Sequence, residues 1–484
     1  VIEQLRRLAQ HVAVYGAGLA SGRILQLIAL PVLTLFLTSA EYGVLAILAV
    51  FGLIGRSLFG LGLGQAVGVV FYRAAGADER AELGWAVLTL AGILAVVFVG
   101  FGVAAADPVA RIFFGDAVWL LPVLLQVAFS ALQMVAEPML YYLQSENRPW
   151  RFVAVSQVGG LLGLGFGLVA VLLGFGVPGW LLGNVLGAAA TLVMAIKLGP
   201  GGGGYRVVLR HCHALLRAGV PFWPGLLLTF ILLYSSPYFV GWLKGLGEAG
   251  IFSVGYQLGL AMGILTGAFG IAWYPYSQSF AQAQDQGSAV FPRLLTGFLI
   301  VYGFLLLLVF ALAKPAVALL AGPEFLEAWR VVGLIAASQL LFALWNALLP
   351  GVYFSGETVL IALIQGLGVA LAILGQFVLV PYLGGEGAAL AVLAALAIMI
   401  LAQIGLNRRY AIKLVEPVRA PAILALTAVL AAALWLTSDR FALGQHGLAA
   451  LGFLALYAAS VLLLLRVNER KALWLGLLNV VPGR

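Results

Sequence analysis

Charge is what this chain has least of. Among 484 residues there are 26 Lys or Arg and 18 Asp or Glu, so only 9% carry charge. A soluble chain with so few charges could not cover its own core. There is one cysteine, Cys212, so no disulfide can form within the chain. Enzyme motifs are missing too: there is no Gly-x-Ser-x-Gly, no His-Glu-x-x-His and no Walker loop ending in Gly-Lys. Gly60-Leu61-Gly62-Leu63-Gly64 sits in an apolar run with no strand before it, so a phosphate loop is a poor reading. With four histidines in all, His211-Cys212-His213 reads better as a solvated linker than as a metal centre. No catalytic residue, cofactor, metal or nucleic-acid partner is expected.

What remains is apolar. Hydrophobic residues make up 63% and the mean hydropathy is +1.10, against roughly 45–50% apolar residues in soluble domains. In lipid the backbone must satisfy itself, which leaves helices or closed barrels. A barrel would alternate in segments of about ten residues. Here the apolar blocks run about twenty or more, which is helix length. The expected fold is an all-α integral membrane protein of about fourteen transmembrane helices. Spans are predicted at 12–37, 42–70, 84–106, 118–143, 153–173, 178–198, 214–241, 249–280, 290–312, 330–354, 358–380, 387–412, 417–436 and 447–466. The first block is too long for a signal-peptide core and has no small-residue cleavage site, so it reads as a span.

Lys and Arg set the orientation. With the N-terminus inside, nineteen of them fall on the inner side and five on the outer. Arg23 and Arg56 fall within spans. The net charge of +8 is therefore mostly a topology signal, and the basic inner rim should attract anionic lipid.

An internal repeat is visible. Ser39-Ala40-Glu41-Tyr42-Gly43-Val44 resembles Leu246-Gly247-Glu248-Ala249-Gly250-Ile251 at an offset of 207. Tyr142-Leu143-Gln144-Ser145-Glu146 resembles Tyr353-Phe354-Ser355-Gly356-Glu357 at an offset of 211. The organisation expected is an N-lobe over 1–198 with helices one to six, and a cytoplasmic Gly-rich, basic linker over 199–213. A C-lobe over 214–412 follows with helices seven to twelve, and 413–484 holds two C-terminal helices outside the repeat. Parallel repeats are a known transporter plan, with the substrate site between the halves.

The informative residues are ionisable groups at membrane depth. Arg23 lies about 16 Å into span one and Arg56 about 21 Å down span two, at about 1.5 Å per residue. Glu137 sits about two turns from the inner end of span four. An arginine at such depth costs at least about 2.5–3.5 kcal/mol and persists where it meets water, a partner or a ligand. Two arginines against one glutamate leave positive charge in surplus, which points to an anion site. The bland alternative is structural pairing with Glu137. Gly16, Arg23, Gln26 and Thr34 share one helix face, and Gly52, Arg56, Gly60 and Gly64 recur on another. Glycines there either leave room for a ligand or allow close helix packing. Adding 207 turns Arg23 into Phe230 and Arg56 into Gly263, so the cationic site belongs to the first half alone. Trp273, Tyr274 and Tyr276 read as interface anchors.

Residues 8–50, with Pro31-Val32-Leu33-Thr34 and then Ser39-Ala40-Glu41-Tyr42-Gly43, resemble the polysaccharide-exporting flippases. These include O-antigen flippases of the multidrug/oligosaccharidyl-lipid/polysaccharide (MOP) superfamily. Val70-Phe71-Tyr72-Arg73, Gly250-Ile251-Phe252-Ser253-Val254-Gly255-Tyr256 and Ala272-Trp273-Tyr274-Pro275-Tyr276 are similar to the same family. The resemblance implies two six-helix lobes around a central cavity and alternating access. It implies an undecaprenyl-diphosphate-linked oligosaccharide as substrate, the bacterial cytoplasmic membrane as location, and membrane lipids and polysaccharide polymerase machinery as partners. Lipid II flippases of the superfamily carry arginines in helices one and two, similar to Arg23 and Arg56, and another in helix eight that this chain lacks. Where many relatives have an acidic–basic pair in helix seven, this chain reads Ser235-Ser236-Pro237, so no coupling role carries over. On this reading Arg23 and Arg56 bind the diphosphate and Glu137 is their gating partner. Gln26, Trp223, Tyr234, Gln257 and Asn346 are candidates for the cavity lining, with Trp345 a further candidate sugar contact. A cation-coupled multidrug antiporter of the superfamily is the alternative, and a membrane scaffold is a third class.

Overall fold

The computed structural model describes residues 25–74, 76–146, 149–200, 209–267, 269–270, 273, 287–350, 352, 358–409, 415–439 and 443–464. Among these there are helices and short 3-10 turns and no strand. Contacts divide the chain into two units interleaved in sequence. One holds 1–258, 320–328 and 359–399, and the other 259–319, 329–358 and 400–484.

The first unit contains α1 (Leu25–Phe36), α2 (Ser39–Gly60), α3 (Leu63–Phe71), α4 (Ala77–Phe114), α5 (Leu120–Ser145), α6 (Pro149–Leu172) and α7 (Gly176–Leu198). It continues with α8 (Leu209–Gly219), α9 (Trp223–Tyr234), α10 (Ser236–Lys244) and α11 (Leu246–Gly259). The repeat motif marks a helix start. Thr38 is the N-cap of α2: its Oγ1 accepts from Glu41 N at 3.3 Å, and Thr38 N donates to Glu41 Oε2 at 2.9 Å. Both ends of the box satisfy donors the first turn leaves open. The repeat-equivalent Glu248 instead accepts from Gly385 N at 3.3 Å.

Breaks in the helices follow proline and glycine. Pro237 has no N–H for the Leu233 carbonyl four residues earlier. Buried Tyr256 donates its hydroxyl to that oxygen at 2.5 Å, as an apolar surround requires. The span expected at 214–241 is therefore α9 and α10, broken at Ser235. The stretch expected as solvated linker ends earlier than predicted: residues 209–219 form the amphipathic α8, which buries His211, Leu215 and Gly219. Pro221 lies between it and α9, Pro224 stands in the first turn of α9, and the two helices meet at 52°.

In the second unit, the carbonyl of Leu348 receives the Asn407 amide at 3.0 Å, and Gln403 donates to Asn407 Oδ1 at 3.2 Å. The C-terminal helices Arg419–Ser438 and Leu443–Leu464 are tied in by Lys314 Nζ donating to Ser438 O at 2.9 Å and Tyr457 Oη donating to Ile300 O at 3.0 Å. Trp273, expected at the interface, is buried and stacks on Phe269. Tyr274 and Tyr276 lie outside the described residues.

Eleven described helices are long and apolar enough to cross a membrane, or twelve if α8 with α9 is one span. The fourteen expected are not reached among the described residues. The 51-residue stretch Val359–Arg409 is broken at Gly384 (φ 53°, ψ −133°), and about 26 residues on one side of it already reach about 39 Å. The first span is described only from Leu25 onward. The chain is a multi-pass membrane protein.

Candidate functional site

The site begins with a discontinuity in the second span. The α2 helix stops at Gly60, Leu61 adopts a left-handed conformation (φ 47°, ψ 31°), and Gly62 follows at φ 69° before α3 begins. Left-handed backbone costs a non-glycine residue roughly 1–2 kcal/mol. Gly62 avoids that cost, and a Cβ there would run into the Gly219 carbonyl at the end of α8. The glycine-rich segment is thus a turn between two half-helices. Around such a break, the first N–H groups of α3 have no intrahelical acceptor, and a helix N-terminus favours negative charge.

A cavity of about 250 Å³ opens beside this break. Its polar lining is Arg56 and Ser57 from α2, Gln65 from α3, and Glu137 and Tyr141 from α5. Leu226 and Phe230 of α9 form an apolar wall. The Arg56 side chain is 22% exposed and that of Glu137 54%. Arg56 Nη1 lies 3.9 Å from Glu137 Oε2, which is too far for a hydrogen bond. Arg56 Nε and Ser57 Oγ are buried with no hydrogen-bond partner. A guanidinium offers five N–H donors in a planar fork, and one carboxylate at this distance leaves most of them open. A ligand with several acceptor oxygens would satisfy them.

The glycine stripe serves both ends. A Cβ on Gly52 would meet Gln126 and Ser130 of α5, and one on Gly64 would come within 2.7 Å of the Tyr141 ring. Those are close-packing contacts. Gly60 faces open space, and it lines the cavity.

Of the residues singled out from sequence, Arg56 and Glu137 are brought together here. Arg23 lies outside the described residues. Gln26 is exposed on α1. Trp223 and Tyr234 are partly buried on α9, flanking Leu226 and Phe230, and the Tyr234 ring is 6.0 Å from that of Phe230. Gln257 is partly buried on α11. None of these four lines this cavity. Asn346 belongs to the other unit, where its amide donates to Phe342 O at 2.8 Å. Trp345 is 2% exposed and has no face free for stacking on a sugar. Tyr141, Ser57 and Gln65 were not expected. Tyr141 lies one turn beyond Glu137, a spacing that puts both on one face.

A model of the polysaccharide biosynthesis protein family matches residues 8–281, more than half of the chain. No curated protein matches it in sequence. Among solved structures, the lipid II flippase MurJ in an inward closed conformation is similar with a TM-score of 0.71 at 13% identity, covering 93% of this chain and 99% of that one. An inward-facing multidrug resistance transporter of the MATE family, assigned to the MOP superfamily, gives 0.58 at 16% identity, over 80% of this chain and 95% of its own. The Vibrio cholerae MATE transporter VcmN gives 0.56 at 17% identity, over 84% and 97%. At such identities the likeness speaks for the fold. Together with the family match, it shows that the chain belongs to the polysaccharide biosynthesis protein family and has the fold of the MOP superfamily.

Proposed function

We propose that the chain is a flippase, carrying an undecaprenyl-diphosphate-linked oligosaccharide from the inner to the outer leaflet of the bacterial cytoplasmic membrane. The cycle is alternating access between two six-helix lobes. The observation that carries the reading is Arg56: a guanidinium on a membrane span, facing a cavity, with Nε unpaired and its carboxylate 3.9 Å away. A lipid diphosphate diester brings about two negative charges, which must be paired on leaving water. Arg56, Ser57 and the first turn of α3 supply donors, and Arg23 adds a second guanidinium in this scheme. About 250 Å³ falls just below the roughly 300–1,000 Å³ of drug-sized sites. It suits a head group, with the sugars outside it. The test is binding of an undecaprenyl-diphosphate lipid to detergent-purified protein. Affinity should collapse in Arg56→Ala, and an unchanged affinity would refute the assignment.

Glu137 acts on the arginine and leaves the substrate alone. A carboxylate beside a guanidinium competes with an incoming phosphate for the same donors. Releasing the pair on diphosphate binding links substrate to helix movement. Glu137→Gln is therefore expected to slow turnover while binding stays equal or tightens. Clearly weaker binding in that variant would assign Glu137 to substrate contact instead. A cation-coupled antiporter is favoured by one observation, the half-exposed Glu137 in the cavity wall. Saturable binding of a lipophilic cation, lost in Glu137→Gln, would decide for it.

An orientation with the N-terminus inside is supported by the nineteen Lys and Arg that it places on the inner side. On a Cys212→Ser background, single cysteines at Gly202 and Gly444 should label from opposite sides of the membrane. Equal labelling from outside would overturn the arrangement of spans.

A further inference from the structure

A second cavity, of about 790 Å³, lies where α8 crosses the end of α3 and the start of α4. It is separate from the Arg56 cavity and independent of the function proposed above. One side is basic: Arg73 from the end of the second span, and Arg210, His211, His213 and Arg217 from α8. Glu79 is the one acidic residue in the lining. Arg210 Nη2 is 3.4 Å from Glu79 and 3.8 Å from Glu82. Among the described residues, Arg73 and Arg217 have no ion-pair partner. His211 is 6% exposed, and its Nε2 lies 3.4 Å from Glu82 Oε2 without forming a hydrogen bond.

The rest of the lining is apolar, including Val69, Leu83, Pro221 and Phe222. Large apolar side chains are also exposed nearby: Tyr72 at 71%, Leu209 at 80% and Val220 and Phe222 at about half. A soluble protein would not present these to water beside a cluster of arginines. At a membrane surface the combination is ordinary, because an amphipathic helix lies in the interface with its apolar residues among acyl chains and its basic residues at head-group level. Here the basic residues surround a space instead of a flat face. Unpaired guanidiniums in a concave site match the geometry of phosphate oxygens.

We propose that this cavity binds a phosphate-bearing anion, and that in the membrane its occupant is the head group of an anionic phospholipid. The phosphate sits between Arg73 and Arg217, which have no ion-pair partner among the described residues, and the glycerol backbone lies against Val69 and Phe222. The apolar half of the lining favours a lipid over a free phosphate. Since α8 crosses α3 at Gly62 and Gly219, an occupied cavity also braces the break beside Arg56.

The experiment uses the full chain in detergent, titrated with phosphatidylglycerol and with phosphatidylcholine and read by native mass spectrometry. Phosphatidylglycerol should bind saturably, and phosphatidylcholine should not. Near an anionic surface each basic residue contributes roughly a fivefold factor. Arg73→Gln/Arg217→Gln should therefore weaken phosphatidylglycerol by about twentyfold. Both side chains are exposed, so the fold should hold, and a thermal melt checks that. Either single variant serves if the double fails to fold. Arg408→Gln/Arg409→Gln removes two exposed arginines elsewhere and should change affinity by less than about threefold. Millimolar inorganic phosphate without lipid is the second arm. Phosphate binding with the same dependence on Arg73 and Arg217 would keep the site and reassign its occupant to a soluble anion. If neither ligand is weakened by those substitutions, or if the Arg408/Arg409 variant loses as much, the proposal is wrong.

Discussion

Arg56→Ala should abolish polymer export while the protein still inserts and folds. Truncating one member of a desolvated charged contact costs about 2–5 kcal/mol, or roughly thirtyfold to several thousandfold in affinity. In the unliganded state the same change costs little. Its one ion-pair partner among the described residues, Glu137, stands 3.9 Å away, beyond hydrogen-bonding distance, and Nε has no partner. Removing a guanidinium whose burial is uncompensated relieves a desolvation cost, so the thermal midpoint should stay level or rise. This separates a lost ligand contact from a lost fold. Arg56→Lys keeps the charge and loses the planar fork. A charged hydrogen bond is worth about 1.5–3 kcal/mol, so the lysine variant should fall roughly ten- to a hundredfold and remain measurable. Complementation of a flippase-deficient strain at matched expression gives the readout. Parental export by the double variant Arg23→Ala/Arg56→Ala would end the diphosphate-clamp mechanism.

How much of this is legible in the sequence depends on the scale of the feature. Hydropathy blocks give the class, because lipid admits few alternatives to helices of about twenty residues. Arg56 and Glu137 stand out because a charge in a span is expensive wherever it faces. Helix continuity is harder to read. Gly60-Leu61-Gly62-Leu63-Gly64 has the hydropathy of an unbroken span, yet Leu61 and Gly62 turn left-handed there. Glycine tolerates helix and turn alike, so composition does not choose between them. The α8 helix is missed for a different reason. Its apolar residues recur at helical spacing, but its mean hydropathy is pulled down by Arg210, His211, His213 and Arg217, so a test for spans gives 209–213 to the linker and 214–219 to the seventh span. The candidate sugar contacts depend on which way a side chain points. Trp345 turns into the core, and no spacing in an apolar helix signals that.

The repeat motif supports the other large effect. Gly43 and Gly250 are equivalent at the offset of 207, and so are Ser39 and Leu246. A Cβ on Gly43 would strike the Leu246 carbonyl and lie 3.1 Å from Gly250 N. A Cβ on Gly250 would strike the Ser39 carbonyl and lie 3.1 Å from Gly43 N. Each residue meets the other's counterpart, the pattern of a two-fold-related contact, here between two repeats of one chain. Glu324 adds to this end by accepting from Ser39 N at 2.9 Å. In the alternating-access scheme proposed above, this crossing is the seal that must part when substrate leaves. Adding one methyl group at a tight contact costs about 1–3 kcal/mol, and transporter states differ by a few kcal/mol. One alanine is then enough to tip the balance. Gly43→Ala and Gly250→Ala should each favour the state with this end apart and lower export. Ala249 is fully buried beside the crossing, so a cysteine there, on a Cys212→Ser background, reports the opening. Its labelling by an impermeant thiol reagent should accelerate about five- to a hundredfold. A cysteine at the buried Ala86 should stay unlabelled, since only unfolding would expose it. Unchanged labelling at Ala249 with parental export in both alanine variants would show that the glycine crossing is static packing and that the seal lies elsewhere.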